Sequence, residues 1–300
     1  MIVKILGSAA GGGVPQWNCG CINCTRARRG ELPSRMQSSI AIGSGGEWLL
    51  VNASVDLPHQ LAATPELWPN ALRATPFRAV LLTDANVDHT AGLGELRQGP
   101  DPFVVVSSKT TKELLAGERA YERFDRAPHR WVAAEPDGSD LAASVDPVLA
   151  ERFEVRAWNV PGLLPGYAGR RPQRGAVLAY ELRERGGGAT VLAAPVFADV
   201  DEVLAAAIGR ADLALLDGTF FSDDEMQALG LPAKPARALG HLPVGGPDGS
   251  LARSAHARGR RVFVHLNNTN PMLDSDSIAF ASVREADCAV AGDRETYEVS

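Results

Sequence analysis

Ala79-Val-Leu-Leu-Thr-Asp84-Ala-Asn86-Val-Asp88-His89-Thr-Ala-Gly92 carries an apolar, strand-like run straight into a turn crowded with polar side chains. A helix-like segment, Gly92–Arg97, follows. In α/β proteins, ligand groups gather where strands end at their carboxyl side. Asp84, Asn86, Asp88 and His89 all fall on this one turn, and the Asp88-His89 pair can close on a single cation. The same residues admit a plainer reading in which Asp84 or Asp88 only caps a helix start.

Outward from this turn, short runs rich in Val, Ile and Leu recur. They are Ile2–Leu6, Ser39–Ile42, Trp48–Val51, Phe103–Val106, Ala176–Leu182, Thr190–Ala194, Leu213–Leu216 and Arg261–Val264, with Ala79–Leu82 among them. Their lengths and flanking turn residues predict strands. Lys109–Glu118, behind Ser107-Ser108, and Asp199–Ile208, opened by Asp199 as a cap and closed near Gly209, predict helices. The alternation predicts an α/β protein on a mixed sheet. Ala133–Ala143 and Gly162–Gly175 read as surface loops, the second as a lid or binding loop. No linker or repeat interrupts residues 1–300, so one domain is expected.

Composition narrows the function classes. Of 300 residues, 45% are hydrophobic and 22% charged, with a net charge of −6. That balance carries no nucleic-acid or anionic-membrane footprint. No apolar run is long enough to span a bilayer, and the first residues lack a secretory pattern. A cytoplasmic, reducing location is the expectation. The chain could pair as a homodimer.

Three of the four cysteines lie within six positions, Cys19, Cys21 and Cys24. In a reducing compartment such clustering favours metal ligation over disulfides, and Gly20 is read as the turn that lets the thiolates converge. A closed four-ligand zinc site is structural rather than catalytic, so a fourth ligand must come from elsewhere. Three buried or redox-active cysteines without metal are the alternative. Cys288 reads as a small buried residue. His59, His129 and His256 read as surface residues. Asp217, at the end of the Leu213–Leu216 run, reads as a further ligand or as an acceptor orienting a ligand histidine. His241, in a Gly-His-Leu-Pro loop, reads as an acid/base or a binder of a substrate carboxylate. Each also reads as a local turn residue.

The segment Asp84-Ala-Asn86-Val-Asp88-His89 resembles the metallo-β-lactamase superfamily motif His-x-His-x-Asp-His, with its first two histidines replaced. Val262-Phe-Val-His265-Leu-Asn-Asn-Thr-Asn-Pro271 resembles the superfamily's last motif, a strand ending in a metal-binding histidine. The glycine-rich start and Cys-x-Cys-x-x-Cys resemble a branch containing phosphodiesterases with an accessory zinc. Leu216-Asp-Gly-Thr-Phe220 and Gly240-His-Leu-Pro243 join these motifs, in order over nearly the whole chain. The set resembles the protein B family of coenzyme PQQ (pyrroloquinoline quinone) biosynthesis.

The resemblance implies the αβ/βα four-layer sandwich. It also implies a role in PQQ biosynthesis, as an iron-dependent hydroxylase acting with O2 on a tyrosine-derived precursor from the peptide PqqA. Asp84 and Asn86 are poor ligands for a first metal, and no histidine falls near Asn159–Leu163, so hydrolysis is disfavoured. Asp88, His89 and His265 remain. Two histidines and a carboxylate with open positions form the facial triad of non-heme Fe2+ oxygenases, though Zn2+ binds the same set. In the related phosphodiesterases a histidine closes the accessory site three residues after the last catalytic one; that position here is Asn268, with Asn268 or water as fourth ligand to a structural Zn2+. Arg170, Arg171 and Arg174 could hold substrate carboxylates or be merely a solvated basic loop. The non-enzymatic alternative is a soluble carrier that binds PQQ for transport to the periplasm.

Overall fold

The computed structural model describes residues 1–300. Fourteen strands form two mixed seven-stranded sheets. The first contains β1 (Ile2–Gly7), β2 (Ser39–Ser44), β3 (Glu47–Val51), β4 (Ala79–Leu81), β5 (Val104–Ser108), β6 (Arg130–Ala134) and, from the far end of the chain, β14 (Thr296–Glu298). The second contains β7 (Asp137–Asp140), β8 (Phe153–Asn159), β9 (Leu178–Glu184), β10 (Thr190–Ala194), β11 (Leu213–Asp217), β12 (Arg260–Val264) and β13 (Cys288–Val290). Each sheet is half antiparallel and half parallel. The orders are β14-β1-β2-β3-β4-β5-β6 and β13-β12-β11-β10-β9-β8-β7. In the first, pairing turns parallel from β3 to β6; in the second, from β10 to β13.

Strand periodicity builds the layers. Ile40, Ile42, Leu49, Val51, Val104 and Val106 face the second sheet, where Val155, Leu213, Leu215, Val262 and Val264 meet them. The alternate residues Ala41, Leu50 and Val105 pack under the outer elements of the first sheet. Ala214, Leu216 and Phe263 do so for the second. Helices cover both outer faces, giving the αβ/βα sandwich that the resemblance implies. No helix is long and apolar enough to cross a membrane.

Several expectations change. The segment Ala133–Ala143 is not simply a loop. β6 ends in it, and Asp137–Asp140 adds an exposed edge strand antiparallel to β8. Asp199 is not the cap of the following helix, which spans Glu202–Arg210. Asp201 is, its Oδ1 accepting from Leu204 N at 2.9 Å. Asp199 instead pairs with Arg253, and Gly209 lies inside the helix. The other helix runs Lys109–Leu115, capped by Ser108, which accepts from Thr111 N. Gly92–Arg97 falls in a 3-10 stretch, Ala91–Gln98. His129 is buried rather than on the surface, its ring packed against Phe103 and Phe124.

Candidate metal centre

The turn after β4 is held by its own side chains. Asp84, wholly buried, accepts at Oδ1 from the backbone and side-chain nitrogens of Asn86, each at 2.8 Å. Its Oδ2 accepts from Thr83 Oγ1 at 2.9 Å and from His89 Nδ1 at 2.7 Å. Both carboxylate oxygens are thus spent inside the turn. This corrects the reading of Asp84 as a metal ligand or helix cap: it orients His89 and anchors Asn86. Gly92 closes the turn against the segment that follows β3, where a Cβ would lie 2.1 Å from Ser54 O.

His89 donates from Nδ1, so its Nε2 carries the lone pair. That Nε2 is sealed from solvent and has no hydrogen-bond partner, although buried polar atoms are rarely left unpaired. It lies 3.7 Å from Asp88 Oδ2, which is 3.3 Å from His265 Nε2. The ligand atoms of Asp88, His89 and His265 all fall within 4.8 Å of one another. An orphaned nitrogen, a second imidazole nitrogen and a carboxylate on one point make a donor set that fits a divalent cation.

The electrostatics agree. Burial would lower the His89 pKa, but the carboxylates of Asp84 and Asp88 outweigh it and hold it at about 9. Burial would raise Asp88, yet His89 and His265 keep it well below the usual carboxylate range. Burial pushes His265 down, against the pull of Asp88. The carboxylates of Asp84 and Asp88 thus favour positive charge at this point.

His265 follows β12 with φ 61°, a left-handed backbone that costs a non-glycine residue about 1–3 kcal/mol and recurs at functional sites. Its Nδ1 donates to Thr219 Oγ1 at 2.8 Å, and Thr219 donates to Asp217 Oδ1 at 2.6 Å. His265 is therefore also fixed with its Nε2 lone pair toward the centre. Asp217, wholly buried at the end of β11, accepts from His241 Nδ1 through Oδ2 at 2.8 Å, and from Phe197 N and Thr219 N. Asp217, His241 and His265 also converge, but Asp217 has no oxygen to spare. Its oxygens orient His241 directly and His265 through Thr219.

Asp88, Asn86, His241, His265, Asn267 and Arg170 border one cavity of about 330 Å³. Of the three arginines expected to meet substrate, only Arg170 lines it. Arg171 turns back onto the carbonyls of Ala168 and Gly169. Tyr167 fastens the Gly162–Gly175 segment over the turn by donating to Ala85 O at 2.7 Å. The glycine-rich start supplies the opposite wall: a Cβ on Gly11 would sit 3.2 Å from the Asp88 carboxylate.

The second centre lies beside the first. The sulfurs of Cys19, Cys21 and Cys24 converge within 4.8 Å. The Asn268 side-chain nitrogen lies over them, at 3.1 Å from Cys19, 3.6 Å from Cys21 and 3.4 Å from Cys24. Turned over, that amide would present its oxygen at the same place, an acceptable fourth donor to a cation. Gly20 does not create the convergence, since its φ is not left-handed and a Cβ there would meet nothing. Cys21 does so by capping the helix Ile22–Arg28, while Asn23 Nδ2 ties that helix to the carbonyls of Asn268 and Asn270. Burial pushes the Cys24 thiol up to about 11. Cys288 lies buried, away from both centres. Thr83, Thr219 and Gly11 escaped sequence reasoning. Their only signal is position, next to an acidic strand end or in the glycine run.

Two facing αβ layers with a carboxylate–histidine centre at their strand ends define a metallo-β-lactamase fold. A family model described as the beta-lactamase superfamily domain matches residues 47–266. The crystal structure of Zn2+-bound PqqB from Methylobacterium extorquens superposes with a TM-score of 0.90 at 38% identity, covering 99% of this chain and 100% of that one. A diphosphatase of the PhnP family shares the fold alone, with a TM-score of 0.67 at 16% identity. Coenzyme PQQ synthesis protein B of Cupriavidus taiwanensis is 41% identical over 92% of each chain. That of Pseudomonas entomophila is 38% identical over 98% of each. The chain belongs to the coenzyme PQQ synthesis protein B family of the metallo-β-lactamase superfamily.

Proposed function

We propose that the chain is a metal-dependent hydroxylase of PQQ biosynthesis, acting on the aromatic ring of a small tyrosine-derived amino acid. The observation that carries this is the orphaned Nε2 of His89, facing Asp88 and His265 at the wall of an open cavity. Asp88, His89 and His265 would hold Fe2+, and the bound metal would supply activation of O2. Asp84 and the Thr219–Asp217 pair keep both imidazoles in the tautomer that offers Nε2. Hydrolysis is disfavoured because the residues at the first metal's positions, Asp84 and Asn86, are bonded to each other.

His241 has its Nδ1 proton committed to Asp217, so its Nε2 can take a proton from a phenol in the cavity. Arg170 is exposed at the rim, where it can receive a substrate carboxylate. Cys19, Cys21, Cys24 and Asn268 would hold a structural Zn2+. The test is O2 consumption by anaerobically Fe2+-loaded protein with L-tyrosine derivatives, with ring-hydroxylated product identified by mass. Absence of O2-dependent product, or full activity of His265→Ala, would sink the proposal. A PQQ carrier would instead bind PQQ tightly with Asp88 and His89 substituted and consume no oxygen.

A further inference from the structure

Glu225 is buried, and it is wired to the cavity. Its Oε2 accepts from Phe221 N at 2.7 Å, and its Oε1 accepts from Thr269 Oγ1 at 2.6 Å. Thr269 in turn accepts from Asn267 Nδ2 at 2.6 Å. A threonine hydroxyl has a single proton. Because that proton goes to Glu225, the oxygen of Thr269 can only accept from Asn267. With Glu225 ionised, the Asn267 amide is therefore fixed with its nitrogen on Thr269, which leaves its oxygen free on a residue that lines the cavity.

We propose that Glu225 and Thr269 act as positioning residues that lock Asn267 with its carbonyl oxygen toward the cavity, so that this wall selects a hydrogen-bond donor on the substrate. Resting on the function proposed above, that donor is the ammonium group of an amino acid, with Arg170 serving the carboxylate. The relay also states what would invert it. Phe221 N is an obligate donor, so in Glu225→Gln the amide oxygen must stay on Phe221 and the new NH2 must face Thr269. Thr269 then donates to Asn267, whose amide turns over and presents NH2 to the cavity. A substrate ammonium would meet a donor instead of an acceptor.

Neutron diffraction on the Zn2+-loaded protein reads this directly. Burial, with Asp224 alongside, pushes Glu225 up to about 7, so crystals are held at about pH 9 to keep it ionised. The Asn267 deuterons are expected on Thr269 in the wild type and toward the cavity in Glu225→Gln. Deuterons toward the cavity in the wild type, or one orientation in both proteins, overturns the relay.

Calorimetry with L-tyrosine and its deamino analogue, 3-(4-hydroxyphenyl)propionate, gives the functional arm. The wild type should prefer L-tyrosine by about tenfold or more, as for one hydrogen bond to a charged group. Glu225→Gln should lose that preference. Adding Asn267→Asp, which offers an acceptor in either orientation, should restore it; a role confined to packing predicts no such rescue. A preference unchanged in Glu225→Gln overturns the inference. Wild type that binds neither compound sinks the substrate reading, and the deuteron positions still decide the relay.

Discussion

Asp84 Oδ2 stands 2.7 Å from His89 Nδ1, both groups wholly buried, and this pair decides which imidazole nitrogen faces the metal centre. Replacing Asp84 with Asn removes the charge and offers a donor where His89 also donates. Metal affinity at the reactive centre should fall about 10- to 100-fold. Competition against a chelator of known affinity checks it, and unchanged affinity would refute the orienting role.

His265 tests whether its unusual backbone serves the metal. Asparagine tolerates left-handed φ better than most residues. His265→Asn should therefore fold normally, with a melting temperature within about 2–4 °C of the wild type, the equivalent of about 1 kcal/mol or less. It should take up one metal equivalent fewer. Elemental analysis beside a thermal melt separates this from simple unfolding.

His241→Gln keeps a polar group near Asp217 but cannot take up a proton. Turnover should drop by about 10²–10⁴-fold, as for loss of a general base, with metal content unchanged. Single-turnover rates, measured beside metal content, provide the check.

The cysteine centre should titrate separately. Cys19→Ser or Cys24→Ser should lose the structural Zn2+ and retain metal at the reactive centre. Asn268→His, offering an imidazole in place of an amide, should tighten zinc binding. Stoichiometry after graded chelation distinguishes the two centres. Equal loss from both would contradict the division.

His129 makes stability depend on pH. Burial and the nearby Arg123 lower its pKa below 6.5, and its neutral Nδ1 faces Phe103 N. Between its folded value and about 6.5, the unfolded chain binds the extra proton and the folded chain does not. Stability is therefore present above about 6.5 and declines as pH falls through that window. Chemical denaturation of wild type and His129→Leu should show the slope in the first and its reduction in the second.

Much of this architecture is legible in residue order. Thr190–Ala194 is a strand with the bounds its apolar run predicts, and the strands flanking the centre were found within a residue or two. β8 is not a continuous apolar run: Phe153, Val155 and Ala157 alternate inward with Glu154 and Arg156 between them, a pattern that reading by apolar runs passes over. β7 could not have been read: Asp-Gly-Ser-Asp is turn chemistry, and it becomes a strand only because β8 offers an edge. Asp199 and Asp201 are equivalent as caps by type, and only the distance to Arg253 separates them. The positions of Asp88, His89, His265 and the cysteines were visible as motifs. The hydrogen bonds that assign a proton to each ring were not, since they run from Asp84 to His89, from Asp217 to His241 and from Thr219 to His265 across separate strand ends.

The run His265–Asn270 is a ruler as well as a motif. Its first residue reaches one centre, its third lines the cavity, its fourth covers the cysteines, its fifth meets Glu225, and its sixth donates to the carbonyls of Gly218 and Thr219. Substitutions can be tried at these positions one job at a time. Deleting or inserting a single residue would misplace every later job together, so the length of this segment should be harder to change than any one of its letters.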